Sequence, residues 1–146
     1  MTRNGNRMLL DQGQVPTCGH NSCGMVLDTL GRPVDVEALI AKIPPMEDGI
    51  FPGDVVSLFK DQGIDANVFR NRNVDDLVRY TTNGTPVIAR VSDPTTGFSH
   101  FVVVDGVTKR NGIEVVAIRD PHGQQYFSPR TTFSKYMAEV IVPRSP

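Results

Sequence analysis

The chain has 146 residues, 39% hydrophobic and 21% charged, which is an ordinary globular composition for one domain with one core. Fifteen basic residues against sixteen acidic ones leave a net charge of −1, so nothing in the charge favours binding to nucleic acid or an anionic membrane. No apolar run approaches the roughly 18 residues that span a bilayer, and the polar start lacks the apolar region of a signal peptide. We expect a single domain over 1–146, with residues 1–8 flexible, and the chain could be a domain excised from a longer protein.

The first element of the chain is a predicted helix that begins beside a cysteine. Residues 11–17 are marked by Gly13 and Pro16, and the apolar-periodic stretch after them ends at Gly31. Its three- and four-residue spacing predicts a buried helix of about three turns. Free backbone N–H groups and the macrodipole at a first helical turn favour a thiolate, so Cys18 is a candidate nucleophile. The alternative for Cys18 is a small buried hydrophobe.

The second cysteine gives no basis for a disulfide or a metal site. Cys18 and Cys23 lie five residues apart on one helix and would point to different faces. Two free thiols suit a reducing compartment, such as a cytoplasm reached after secretion or delivery, or a short exposure outside one. Cys18, His20 and Cys23 form a local cluster, but its spacing lacks the second half of a zinc site. We expect neither a metal nor a cofactor.

Helical patterns continue through the first half of the chain. A helix is predicted at 36–43, where two prolines end it, and another at 54–62, opened by Pro52 and ended before Gly63. Alternation predicts a short strand over 64–70, and Asn73 is a good N-cap for a short fourth helix. Glu47 and Asp48, in the loop between the second and third helices, are expected to be solvated.

From residue 85 the period changes to that of strands. Residues 85–91, 99–107 and 113–120 are rich in Val and Ile, and Asn111-Gly112 is the hairpin signal between the last two. A short strand at 124–127, a helix at 130–137 and a final strand at 140–142 follow. Helices first and an antiparallel sheet afterwards predict an α+β domain.

Two polar residues lie at the ends of neighbouring apolar strands. His100 heads the longest strand, and Asp120 ends the next one immediately before Pro121. A hairpin turn centred near residues 109–111 would place residues near 100 and 119 opposite each other, which brings Asp120 close to His100. Asp120 could then fix the tautomer of His100, a candidate general base. The alternatives are a core histidine and an Asp-Pro turn opener.

An amide side chain precedes the cysteine at a spacing that suits acyl transfer. Gln12 lies six residues before Cys18 and could help the Cys18 backbone N–H hold an oxyanion, with Gln14 as the competing donor. The Asp-Gln-Gly start, the Gln-to-Cys spacing, Ser-His-Phe-Val-Val-Val-Asp-Gly around His100 and Arg-Asp-Pro-His-Gly around Asp120 resemble the papain-like cysteine peptidases. The likeness is to the bacteriocin-processing branch in particular, which uses aspartate as the third member, and also to the papain-fold toxin domains that end bacterial polymorphic toxins.

The resemblance implies a papain-like fold and a Cys18–His100–Asp120 triad with Gln12 in the oxyanion hole. It implies thiol-dependent attack on a peptide or side-chain amide, most simply proteolysis, and a protein or peptide substrate. Deamidation, transglutamination and an inactive peptide-binding domain stay open as alternatives. A toxin or effector role implies a cognate immunity protein that binds over the cleft. The membrane and nucleotide-binding parts of bacteriocin exporters are absent from the sequence, so it gives no support for export.

Overall fold

The fold is a mixed arrangement of helices against an antiparallel sheet. The computed structural model describes residues 2–11, 13, 16–93, 95 and 99–144. Over these residues the helices are α1 (Cys18–Thr29), α2 (Val36–Lys42), α3 (Pro52–Asp61), α4 (Val74–Thr81) and α5 (Arg130–Tyr136). The strands are β1 (Thr2–Asn4), β2 (Arg7–Leu9), β3 (Ala66–Phe69), β4 (Val87–Ser92), β5 (Ser99–Arg110), β6 (Ile113–Asp120), β7 (Gln124–Pro129) and β8 (Met137–Pro143).

Six of these strands form the main sheet, in the order β3-β8-β4-β5-β6-β7, with every neighbouring pair antiparallel. The two faces of β5 show how the sheet divides the core. Phe101 and Val103 pack in one cluster with α1, α2 and α3, whereas Val102 and Val104 pack in the other with α4 and α5. Alternation along a strand therefore builds a helical layer on each face. None of the helices in the described ranges is long and apolar enough to cross a membrane.

Helix α1 begins at Cys18 and lies almost wholly inside the protein. Thr17 is the N-cap but makes no side-chain cap, and its carbonyl accepts the N–H of Asn21 at 2.8 Å. Residues 19–27 of the helix are buried against the sheet and against α2 and α3. The helix ends at Thr29, and Gly31 follows its C-cap with a φ of 81°, the left-handed conformation that glycine adopts without strain.

The start of the chain forms a short hairpin, and the flexibility expected over residues 1–8 stays a prediction. Strands β1 and β2 form a hairpin whose turn contains Gly5 at a φ of 61°. Arg3 donates two hydrogen bonds to Asp28 of α1, and the Met8 carbonyl accepts one from the buried Arg119. These hydrogen bonds connect the polar start of the chain to α1 and β6.

The β5–β6 hairpin brings its residues together in a register other than the one expected. Its turn is Asn111-Gly112, both residues having positive φ, so Arg110 pairs with Ile113. A bulge between Val104 and Gly106 shifts the ladder, and Arg119 lies opposite Val103. The prediction that residue 119 lies opposite residues near 100 is wrong by three residues, because the turn lies further along the chain than the assumed centre.

Candidate active site

Cys18 at the start of α1, His100 near the start of β5 and Asp120 at the end of β6 come together, with His100 between the other two. His100 Nε2 lies 2.7 Å from Oδ1 of Asp120, which accepts its hydrogen bond. One more step in the register puts Val102 opposite Asp120, so His100 contacts Asp120 diagonally, two residues along the same face. The contact predicted from the hairpin is therefore present although the register differs. Nδ1 is the ring nitrogen left to face Cys18.

The environment of His100 favours its charged form. Burial lowers the pKa of His100, but hydrogen bonds with Asp120 and Cys18, together with their charges, outweigh burial and raise it to about 9. The imidazole is 6% exposed, so these interactions act where water screens them little. A histidine with such a pKa carries its proton at neutral pH.

Asp120 is held as a carboxylate by three donors. Oδ1 accepts from His100 and from the backbone N–H of His122 at 2.9 Å, and Oδ2 accepts from the hydroxyl of Tyr126 at 2.9 Å. Burial raises the pKa of Asp120, but these hydrogen bonds and the charge of His100 outweigh it and hold the pKa below its usual range. Burial and the adjacent Asp120 charge raise the pKa of the Tyr126 hydroxyl, so it stays a donor.

Sequence reasoning missed Tyr126 and the contact between His122 and His100. Tyr126 lies on β7, paired with Ile118 of β6, and only that register brings its hydroxyl to Asp120. His122 is exposed, and its ring stacks on that of His100 with centroids 4.6 Å apart and planes 12° apart. The Asp-Pro-His order was the available signal, since a turn after Asp120 can fold His122 back onto the strand end.

Gln12 and Gln14 lie outside the described residues, so the predicted oxyanion donor has no structural account. The thiol of Cys18 is half-buried, whereas Cys23 is fully buried and burial raises its pKa. His20 is buried too, and its Nε2 donates to the carbonyl of Ile43 at 2.6 Å. Cys18, His20 and Cys23 therefore have separate environments rather than a shared one.

A different trio of possible metal ligands is close together among the described residues. Ligand atoms of His100, Asp120 and His122 all lie within 4.8 Å of one another. The two imidazole planes are nearly parallel, so their nitrogen lone pairs point side by side rather than at one centre. His100 and Asp120 are also already bonded directly to each other. This geometry suits a hydrogen-bonded pair better than a cation.

A cleft of about 910 Å³ opens onto Cys18 and His100. Its apolar wall includes Ile50, Phe69 and Phe101, and Phe51 stands at the rim with 63% of its surface exposed. Besides Cys18 and His100, the charged and polar residues of the lining are Asp48, Arg70, Arg90, Ser99 and Glu139.

Arg90 bonds to two other polar residues that line this cleft. Its Nε donates to Glu139 at 2.5 Å and its Nη1 to the hydroxyl of Ser99 at 2.9 Å. The hydrogen bond from Arg90 keeps the pKa of Glu139 below its usual range. Such a groove, with apolar and polar residues in its lining beside a thiol, has the dimensions for several residues of a peptide.

The sequence matches the peptidase C39 family over residues 7–146, nearly its whole length. The chain belongs to the peptidase C39 family. Family membership makes it a cysteine peptidase, and it confirms the resemblance to the bacteriocin-processing branch. No curated protein sequence matches this C39 peptidase.

Solved structures share the fold of this C39 peptidase. A double-glycine-motif protease from an AMS/PCAT transporter, solved with the leader peptide, is 20% identical with a TM-score of 0.76, covering 95% of this chain and 91% of that one. The peptidase domain of Streptococcus ComA is 18% identical with a TM-score of 0.76, over 96% and 99%. A C39-like peptidase from Bacillus anthracis is 21% identical with a TM-score of 0.74, over 97% and 96%. The α+β, papain-like fold is confirmed, whereas the likeness to toxin domains stays a prediction.

Proposed function

We propose that this C39 peptidase hydrolyses peptide bonds through a thioester on Cys18, with His100 as acid and base and Asp120 as its partner. One observation carries the proposal. A buried His100–Asp120 pair, with the pKa of His100 raised to about 9, faces the thiol of Cys18 at the mouth of a peptide-sized cleft. Such a pair favours the thiolate–imidazolium form of the nucleophile.

The chemical steps follow from these positions. The Cys18 sulfur attacks the carbonyl carbon of the scissile bond and forms a C–S bond. His100 donates the proton on Nδ1 to the leaving nitrogen as the C–N bond breaks. Water then attacks the thioester carbonyl, His100 takes its proton, and the thiolate leaves. Asp120 accepts from Nε2 throughout, which fixes the ring and stabilises the imidazolium.

The negative charge on the carbonyl oxygen needs donors in each tetrahedral intermediate. We assign this role to the backbone N–H of Cys18 and the side-chain amide of Gln12. The first N–H groups of α1 have no intrahelical partners, and the helix dipole favours an anion at that end. A single oxyanion donor contributes about 100- to 1000-fold to kcat in other acyl-transfer enzymes.

The substrate is proposed to be a peptide or protein segment in the cleft. The double-glycine-motif protease was solved with a leader peptide, which supports the proposal that a peptide binds in the cleft of this chain. In this chain the apolar wall of Ile50, Phe69 and Phe101 would take apolar side chains of the acyl part. Within this proposal residues 1–146 act as one peptidase domain, with residues 7–146 matching the family.

Two choices decide the reaction. Transfer to water gives proteolysis when a backbone amide is attacked and deamidation when a side-chain amide is attacked, whereas transfer to an amine gives transglutamination. Mass spectrometry distinguishes the three in one experiment. A proteome-derived peptide library is incubated with the wild type, with Cys18→Ala and with Cys23→Ala as a thiol control. Proteolysis gives new termini, deamidation a gain of about 1 Da without cleavage, and transglutamination crosslinked peptides. We expect new termini from the wild type and Cys23→Ala and none from Cys18→Ala. Termini that persist in Cys18→Ala would exclude Cys18 as the nucleophile.

A toxin or effector role, with an immunity protein over the cleft, is a further proposal that rests on the sequence resemblance alone. Its test is expression of the chain in bacterial cells beside Cys18→Ala, with colony counts as the readout. Toxicity that requires Cys18 supports the role. Equal growth of both strains at equal expression levels would argue against it.

A further inference from the structure

The cleft beside Cys18 crosses four neighbouring strands of the main sheet. Each of β5, β4, β8 and β3 contributes to its lining, and these strands lie side by side in that order. Helix α1 packs on β5 and β4, whereas α3 packs on β8 and β3. The thiol at the start of α1 therefore lies at the β5 end of the cleft, and the β3 end is the end remote from the reacting atoms.

Polar side chains form a row across these four strands, on the face of the sheet that packs on α1. Each member lies two residues from an apolar residue of the core on that face, and residues two apart on a strand share a face. We call these four residues the polar row: Ser99 on β5, Arg90 on β4, Glu139 on β8 and Arg70 directly after β3. Their apolar neighbours two positions away are Phe101, Ile88, Ile141 and Val68.

Glu139 lies between two arginines of the polar row. Arg90 Nε donates to its carboxylate at 2.5 Å. Phe69 pairs with Val140, so one more step along the β3–β8 ladder puts Arg70 opposite Glu139. The hydrogen bond from Arg90, followed by the charges of Arg90 and Arg70, keeps the pKa of Glu139 below its usual range although burial opposes this. The polar row therefore carries one positive charge in excess.

Arg70 is the residue that supplies this excess charge. It is exposed, and no ion pair joins it to another residue in the described part of the chain. The neighbouring Arg72 differs, since it lies over the Phe69 ring at 4.9 Å and does not line the cleft. Asp48 lines the cleft but belongs to the loop before α3, not to the polar row. A guanidinium without a carboxylate partner thus stands at the β3 end of the cleft.

The strand order gives the distance from the reaction centre to Arg70. His100 is on β5, and β3 is three strands away, which at about 4.8 Å per strand is about 14 Å. An extended peptide advances by about 3.3 Å per residue, so about four residues separate the scissile bond from the position opposite Arg70. The same count holds on either side of the scissile bond.

We propose that Arg70 is a specificity-determining residue that binds an acidic side chain of the substrate, about three to five residues from the scissile bond. This inference rests on the proposed function. The guanidinium presents a planar fork of N–H donors that matches the two oxygens of a carboxylate. The pair Arg90–Glu139 beside it is already neutral, so the field at this end of the cleft favours an anion.

The first test aligns the library peptides that the wild type cleaves at their scissile bonds. Asp and Glu should be enriched about fivefold at one position three to five residues from the bond, which is the upper range for an exposed ion pair. Cleaved peptides without acidic enrichment at any of these positions, on either side, would overturn the role of Arg70 and leave the peptidase proposal intact. An absence of cleaved peptides would overturn the peptidase proposal and this inference with it.

The second test compares two peptides that differ by Glu against Gln at the enriched position. The wild type should have a kcat/KM about fivefold higher for the Glu peptide, and Arg70→Gln should bring that ratio to about 1. Arg72→Gln is the matched control and should keep the wild-type ratio, because Arg72 does not line the cleft. Each preparation is measured on both peptides, so the ratio does not depend on its folded fraction. Equal ratios for Arg70→Gln and Arg72→Gln would overturn the assignment.

Discussion

Tyr126 donates its hydroxyl to Oδ2 of Asp120 at 2.9 Å, while the other oxygen of that carboxylate accepts from His100. The contact joins β7 to the end of β6 and leaves no oxygen of Asp120 without a donor. A carboxylate bonded on both sides has little freedom to rotate, so the imidazole it contacts is fixed as well. Tyr126 is therefore a positioning residue for the His100–Asp120 pair.

Removal of the Tyr126 hydroxyl should lower turnover without weakening substrate binding. Tyr126→Phe keeps the ring but removes one donor to a charged acceptor, a contact of about 1.5–3 kcal/mol, of which only part reaches the transition state. We expect kcat to fall about 5- to 10-fold with KM unchanged. Tyr80→Phe is the control, because Tyr80 stacks on Phe69 through its ring and the variant keeps that ring. A rise in KM at constant kcat would assign Tyr126 to binding instead.

The pH dependence of activity should report the raised pKa of His100, about 9. Because this pKa lies above the ordinary value near 6.5, the imidazolium persists through neutral pH and is lost as pH rises through about 9. We therefore expect kcat/KM to decline on the alkaline side near pH 9. Asp120→Asn removes contributions that raise the pKa, so the alkaline limb should move down by about 1 pH unit or more.

The shift is measured from kcat/KM against pH and from the imidazole nitrogen signals of His100 by NMR. Asp28→Asn serves as the control, since Asp28 is a similarly buried carboxylate on α1 that pairs with the exposed Arg3 rather than with His100. An alkaline limb at the same pH in the wild type and Asp120→Asn would contradict the assigned partner.

The buried Arg119–Asp105 pair should be a main support of the fold. Arg119 is fully buried, donates two hydrogen bonds to Asp105 at 2.9 and 2.8 Å, and donates a third to the Met8 carbonyl. Arg119→Met leaves Asp105 buried without its main partner, which costs about 3–5 kcal/mol of unfolding free energy. Urea unfolding of Arg119→Met and the wild type measures this loss of unfolding free energy, as long as the two proteins have the same m-value.

Arg110→Met, at the tip of the same hairpin, is the matched control for Arg119→Met. Arg110 lies over the Phe127 ring at 4.2 Å and is exposed, so its loss should cost about 1 kcal/mol or less. Similar urea midpoints for Arg119→Met and Arg110→Met would show that the buried Arg119–Asp105 pair contributes little to the free energy of unfolding.

Gly19 should tolerate no side chain because of the loop that covers the first turn of α1. A Cβ there would lie 2.8 Å from Cγ1 of Ile50 and 3.3 Å from the Phe101 ring. Gly19→Ala should therefore cost about 1–3 kcal/mol and displace the cleft wall that carries Ile50, which lowers activity further. Gly53→Ala is the control, since a Cβ at Gly53 has no neighbour within 4 Å. The midpoint of thermal unfolding is measured for both variants. An unchanged midpoint for Gly19→Ala would contradict the predicted crowding.

Local patterns in the sequence determined which residues could form the site. A few consecutive residues are enough to predict each of three features: Cys18 at the start of a buried helix, the Asn111-Gly112 turn, and the apolar strands on either side of that turn. The His100–Asp120 contact is also within reach of the sequence, because both residues belong to one hairpin and a small register error keeps them adjacent. Most helices and strands lie within a few residues of their predicted bounds for the same reason.

Tertiary structure decided what surrounds that pair. Tyr126 reaches Asp120 through the β6–β7 register, and Arg119 bonds the Met8 carbonyl across 111 positions of the chain. Hydrophobic period and turn chemistry act over a few residues, so they specify elements and neighbours in a hairpin. Contacts between distant segments depend on a bulge, a register and the packing of whole layers, which no short window of sequence contains.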